Sequence, residues 1–102
     1  MCTSIVEIVE ADGMAKGQGE WFALTHAVVS YDHPHHAHLT DAIVMDFMNQ
    51  AMGPGARAAV EMTLETAKAL RTALDKAIAE AEEEENERAE NLARPLPIAV
   101  AA

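Results

Sequence analysis

The spacing of hydrophobic residues changes at about residue 63 and divides the chain into two parts. Before that point, short segments rich in β-branched and aromatic residues are typical of strands; they cover residues 4–10, 21–32, 42–48 and 57–62. After it, apolar residues recur at three- and four-residue spacing from Leu64 to Ala81, which predicts an amphipathic helix. Thr63 is suited to cap this helix, with Glu65 in its first turn.

The predicted fold class is α+β, a four-stranded antiparallel meander followed by one C-terminal amphipathic helix (ββββα). The links between the strands, including the glycine-bearing loop of residues 12–20, are too short for helical crossovers, so we expect antiparallel pairing. Several strands are apolar on both sides: Val6 and Ile8 oppose Ile5 and Val9 in the first one. One helix on one face leaves the other uncovered, which predicts a sheet face buried in a homodimer of C2 symmetry.

The predicted domain organisation is a ββββα domain over residues 1–79 and an acidic extension with a proline-containing tail over residues 80–102. Residues 80–91, EAEEEENERAEN, carry seven Glu against one Arg, a composition typical of a solvated helix extension or a frayed segment. The ending RPLPIAVAA fits two interpretations equally well, a disordered tail or an extended arm on a neighbouring subunit.

Composition and charge restrict the class of partner. At 102 residues, the chain is expected to form one domain with a small core. A net charge of −10 argues against nucleic acid and against anionic membrane surfaces. The absence of a basic, apolar leader pattern argues against secretion, and the single cysteine against a disulfide framework. We therefore expect a soluble cytoplasmic protein.

The candidate chemistry is concentrated in YDHPHHAH, residues 31–38, which holds four of the five histidines. Imidazole is the commonest metal ligand in proteins, and a site needs three or four convergent donors. The predicted ligands are His33 and His36 from the loop, with Asp41 and Cys2 from elsewhere in the chain. This donor set suits Zn²⁺ or Fe²⁺. Further candidates for the same pocket are His26, Tyr31, Asp32, His35, His38, Asp46 and Arg57.

The chain resembles a small uncharacterised bacterial family of similar length over residues 1 to about 75. The resemblance is carried by MCT at the start, KG, GEWF, YDHPxHA, DFxN and GPGARxAVE. The matching residues are Cys2, Trp21, Phe22, Tyr31, Asp32, His33, Pro34, His36, Asp46, Phe47, Asn49, Gly53, Pro54, Arg57 and Glu61. His35 and His38 fall outside the pattern, which favours His33 and His36 over them. Asp41 stands where we would expect a histidine, so the resemblance does not support a three-histidine site. It implies no substrate.

Three functions are compatible with these features. The first is a small dimeric metal-binding protein with a His/carboxylate site after the second strand, whose metal could also activate water. The alternative is a non-enzymatic accessory or interaction protein that acts through its dimer surface and acidic helix. The third is a metal-free acid/base enzyme using His33 or His36 with Asp32 or Asp46. The histidines are also compatible with an inert polar loop. Whether the protein is an enzyme is left open.

Overall fold

The computed structural model describes residues 5–93, which form two compact units, one ending at Ala67 and the other beginning at Lys68. The first unit contains the strands: β1 (Val6–Glu10), β2 (Met14–Gly17), β3 (Glu20–Ala23), β4 (His26–Asp32), β5 (Ala42–Met48) and β6 (Arg57–Met62). A 3-10 helix (Gln50–Met52) precedes β6, and α1 (Leu64–Ala93) ends the described chain.

Four of these strands form an antiparallel sheet in the order β1-β4-β5-β6. They correspond to the four segments chosen by their β-branched and apolar residues, so the α+β class, the antiparallel pairing and the C-terminal helix are confirmed. The packing of the helix against the sheet stays a prediction, as does the domain boundary at residue 79. Residues 1–4 and the tail 94–102 lie outside the described residues.

The strand register defines two faces of the sheet, because paired residues of an antiparallel ladder share a face. What we call the apolar face has one charged residue, Glu7; its other members are Val9, Ala27, Val29, Tyr31, Ile43, Met45, Phe47, Ala58, Val60 and Met62. The opposite face, called the mixed face, carries the ionisable groups Glu10, His26, Asp32, Asp46, Arg57 and Glu61 among apolar residues. The charged side chains of the sheet therefore lie mainly on the mixed face.

The predicted loop and single long strand over residues 12–32 are wrong. The structure has a separate two-stranded sheet here, formed by β2 and β3. Its turn is Gln18-Gly19, with φ values of 37° and 88°, the left-handed conformation that two-residue hairpin loops favour. The long strand is interrupted before His26, because β3 pairs with β2 whereas β4 pairs with β1 and β5.

The hairpin of β2 and β3 lies against the start of β6. A Cβ atom added to Gly17 would meet the carbonyl oxygen of Arg57 at 2.7 Å and the ring of Phe22 at 3.1 Å, so glycine permits this close approach. Phe22 is buried, together with Ala42, Ala56 and Met62. Since these four are the buried apolar side chains among residues 5–93, the described chain has a small core.

The helix begins where the sequence predicts. Thr63 Oγ1 accepts a hydrogen bond from the backbone N–H of Thr66 at 3.1 Å, which confirms Thr63 as the N-cap. The side chains of Leu70, Leu74 and Ile78 are exposed by 49%, 62% and 47%. Within residues 5–93, no helix combines the length and apolar character required to cross a membrane.

Candidate functional site: the histidine loop

The residues between β4 and β5, His33 to Asp41, form what we call the histidine loop. The loop begins with a local turn, in which Asp32 Oδ1 accepts a hydrogen bond from the His33 N–H at 2.7 Å. Asp side chains commonly bind nearby backbone N–H groups in this way. Asp32 therefore shapes the first residues of the loop, which is a structural role for a residue predicted as a pocket candidate.

The middle of the histidine loop is held by one carboxylate from the edge strand β6. Glu61 Oε2 accepts from the N–H of His35 at 2.6 Å, and Oε1 accepts from the N–H groups of His36 and Ala37 at 2.8 Å each. Hydrogen bonds to an ionised acceptor are shorter and stronger than neutral ones. Glu61 thus fixes three consecutive backbone groups and sets the position of the adjacent imidazoles.

These hydrogen bonds also affect the ionisation of Glu61. The backbone N–H of His35 makes the largest contribution in lowering the pKa of the Glu61 carboxyl below its ordinary value of 4.5, followed by that of Ala37. Partial desolvation acts in the opposite direction, and the charge of His36 adds to the lowering. Glu61 is consequently ionised at neutral pH, which is the form that accepts all three bonds.

His33 is oriented by the end of the same loop. Its Nδ1 lies 2.9 Å from the carbonyl oxygen of Thr40 and 3.2 Å from Asp41 Oδ1. Both neighbours are acceptors, so the ring donates through Nδ1–H, and Nε2 of the neutral ring is then the acceptor or ligand atom. The side chain of His33 is 52% exposed. Asp41, predicted as a direct ligand, acts here on the opposite nitrogen from the one that would bind a metal.

The structure brings together only part of the predicted ligand set. Within residues 5–93, no group of three or more His, Cys, Asp or Glu side chains is arranged to hold a metal ion. His33 contacts Asp41, whereas His36 borders a depression described below. Cys2 lies outside the described residues. Metal binding by His33, His36, Asp41 and Cys2 stays a prediction.

A depression of about 690 Å³ lies beside the anchored loop. Its ionisable lining groups are His35, His36, Arg57 and Glu61, with Ala37, Val44, Ala59 and Val60 completing the wall. Arg57 is held at its margin by Asp46: Nε and Nη2 lie 2.8 Å and 2.7 Å from Asp46 Oδ1. The depression therefore offers imidazole and guanidinium donors above an apolar floor, an arrangement suited to a polar ligand.

The remaining candidates lie away from this depression. His26 Nδ1 contacts Thr25 Oγ1 at 2.9 Å, so its partner is the residue just before β4. Tyr31 lies on the apolar face, opposite the side that carries Arg57 and Glu61. His38 is exposed in the histidine loop. Of the predicted pocket residues, the structure thus groups His35, His36 and Arg57, with Asp46 paired to the last.

Glu61 is the residue that the sequence analysis did not choose as a site candidate. In the sequence, Glu61 appears only as a residue of the family pattern. The available signal was its position as the one carboxylate in RAAVEM, two residues from Ala59 and four from Arg57, because residues at this spacing share a face of a strand. That periodicity places Glu61 beside Arg57 without showing which loop it reaches.

The fold and the loop together define a small α+β protein with a carboxylate-anchored histidine loop between two central strands. The chain belongs to DUF6295, a family of unknown function, whose model matches residues 1–87. This confirms the resemblance to a small uncharacterised family. No curated protein and no solved structure matches the chain.

Proposed function

We propose that this protein is a cytoplasmic, homodimeric, non-enzymatic interaction protein. The observation that carries the proposal is the exposure of large apolar side chains on both described units. On the apolar face of the sheet, Val9 is 54% exposed and Val60 46%; in the helix, Leu74 is 62% exposed. Large apolar side chains exposed in this way are typical of surfaces that associate with other proteins.

The area of the apolar face can be compared with the area that a stable dimer buries. Four strands spaced about 4.8 Å apart, with about six residues rising about 3.4 Å each, cover roughly 400 Å². A standard interface buries about 800 Å² on each partner. The apolar face supplies about half of that area, so a stable homodimer needs further contacts between the two copies.

The acidic part of the helix is the proposed contact for a second partner. Residues 80–90 hold seven Glu and one Arg, and their side chains are exposed. A segment of this charge attracts a basic protein surface, and salt screens the attraction. Retention of a basic protein partner on the immobilised full-length protein should fall when Glu82–Glu85 are changed to Gln. It should also be weaker at 0.5 M than at 0.1 M salt.

The mass of the untagged protein in solution tests the homodimer. Light scattering after gel filtration should give twice the chain mass of 11.0 kDa, and dilution should reveal the monomer at low concentration. A mass of 11.0 kDa across the accessible concentration range would refute the dimer. It would not bear on partner binding by the acidic helix, which has its own assay.

A second candidate function is binding of a divalent transition metal, Zn²⁺ or Fe²⁺. The orientation of His33 favours it, since donation from Nδ1–H to Thr40 and Asp41 resembles the support that metal-binding histidines receive from carbonyl and carboxylate groups. Titration of metal-free, untagged protein with Zn²⁺ should show binding that is lost in His33→Gln and kept in His38→Gln. Equal binding by both variants would refute a site at His33.

A further inference from the structure

The outer edge of β1, the side away from β4, is where we look for a contact between two copies of the chain. We propose that β1 pairs antiparallel with β1 of a second copy, with Ile8 opposite Ile8; this inference rests on the homodimer proposed above. Among residues 5–93, β4 pairs with one side of β1 and no strand pairs with the other. All five residues of β1 are exposed. The strand has no Lys or Pro, residues with which edge strands commonly prevent pairing; its two charged residues are Glu7 and Glu10.

The backbone of β1 shows which of its groups face outward. Tyr31 N–H donates to the Ile5 carbonyl at 3.1 Å, and Ala11 N–H donates to the Thr25 carbonyl at 2.9 Å. Hydrogen-bonded and non-hydrogen-bonded residues alternate in an antiparallel pair. The odd-numbered residues are therefore those bonded to β4, and the N–H and C=O groups of Val6, Ile8 and Glu10 point away from it.

Symmetry then limits the register. A twofold axis perpendicular to the sheet keeps equivalent faces together, so even-numbered residues of one strand meet even-numbered residues of the other. Centring the axis on Ile8 pairs Ile8 with Ile8 and Val6 with Glu10 at both ends. All three pairs use outward-facing groups and form about six backbone hydrogen bonds, two for each pair. All five residues of β1 take part in this pairing.

Charge selects the same register. With Ile8 at the centre, Glu7 lies opposite Val9 and Glu10 opposite Val6, so no two carboxylates face each other directly. Moving the axis to Glu7 would place Glu7 opposite Glu7, and like charges in that position are destabilising. Moving it to Val9 would extend the pairing beyond the end of β1 at Glu10. The Ile8 register also joins the two apolar faces into one larger surface, which this contact does not itself bury.

A proline substitution tests whether this edge forms the contact. Ile8→Pro removes an outward N–H that β4 does not use, so it should leave the monomer folded while it blocks pairing between copies. The matched control is Ala59→Pro on the other edge of the sheet. The Asn49 N–H donates to the Ala56 carbonyl, and by the same alternation the Ala59 N–H faces outward. Circular dichroism verifies folding of both variants.

In light scattering, full-length protein and Ala59→Pro should have twice the mass of one chain, and Ile8→Pro should have the mass of one. A folded Ile8→Pro variant that remains dimeric would overturn the β1 contact and leave the homodimer standing. A monomeric unsubstituted protein would overturn both. A larger assembly that Ile8→Pro reduces by half would support the β1 contact together with a second interface.

Disulfide trapping tests the register and gives a result even if Ile8→Pro fails to fold. In a chain with Cys2→Ser, Ile8→Cys places two thiols on directly opposed residues, with Cα atoms about 5.5 Å apart, which is within disulfide range. Glu10→Cys is the control, because the two residues 10 are offset by four positions, or about 13 Å along the strand. Oxidation should link Ile8→Cys into dimers. Equal or preferential linking of Glu10→Cys would overturn the register.

Discussion

Substitution of Gly17 by alanine tests whether the β2–β3 hairpin lies against β6 as closely as the structure shows. The new Cβ would lie 2.7 Å from the Arg57 carbonyl oxygen, whereas ordinary contacts begin at 3.4 Å. The two backbones must therefore separate by about 0.7 Å, a shift of the kind that costs about 1–3 kcal/mol when a packed site is overfilled. For a domain of this size, each kcal/mol lowers the melting temperature by about 4–8 °C.

The measurement is urea or thermal unfolding at a fixed protein concentration, because self-association makes the transition depend on concentration. The single tryptophan, Trp21, lies on β3 and reports on the hairpin. Gly55→Ala is the matched control: its Cβ meets nothing within 4 Å and its φ is not in the left-handed region. We expect it to be neutral or stabilising by about 0.4–1 kcal/mol.

A third variant separates steric contact from backbone conformation. Gly19 has φ +88° but no neighbour within 4 Å, so Gly19→Ala should cost about 1–2 kcal/mol through strain alone. If Gly17→Ala unfolds at the same denaturant concentration as Gly55→Ala, the close approach of Gly17 to Arg57 is refuted. The structure requires that Gly17→Ala and Gly19→Ala both lose stability to unfolding and that Gly55→Ala does not.

Three other predictions concern the loop, the helix and the core. Glu61→Gln should accelerate hydrogen exchange at the amides of residues 35–37, whereas Glu20→Gln should not. Since the Glu61 pKa is lowered by folding, the protection should be complete above the ordinary value of 4.5 and disappear as pH falls through the lower folded value; pH-independent protection would contradict this. Thr63→Ala should cost about 1 kcal/mol in the free energy of unfolding and Thr63→Ser much less. No loss in Thr63→Ala would show that the cap does not stabilise the helix. Phe22→Ala, measured in the same way, should cost about 3–5 kcal/mol, and a loss below 1 kcal/mol would show that Phe22 is not buried.

The sequence was sufficient to predict the four-stranded meander because its strands are bounded by clear turns and rich in β-branched residues. The hairpin was missed because MAKG in β2 has little strand character, and its turn, Gln18-Gly19, lacks the more familiar Asn or Asp before glycine. The interruption before β4 could not be read from hydrophobicity, because apolar residues continue through Trp21–Ala23 and Leu24. Only the different pairing partners of β3 and β4 separate them.

The candidate site was predictable in composition but not in arrangement. The clustering of histidines in residues 33–38 located the loop correctly, and two of the pocket candidates, Arg57 and Asp46, form an ion pair with each other. The anchor, Glu61, is 26 positions from His35. A single sequence does not show which strand a loop folds over, so this contact depends on the tertiary pairing of β5 with β6.

The distance along the chain between the histidine loop and Glu61 has a consequence for synthesis and assembly of the protein. A nascent chain emerging from the ribosome contains every imidazole well before it contains the carboxylate that organises them. The loop can therefore take its final shape only after the last strand has joined the sheet, since contacts distant in sequence form late. A truncated chain ending before residue 61 would keep its histidines and lose their order.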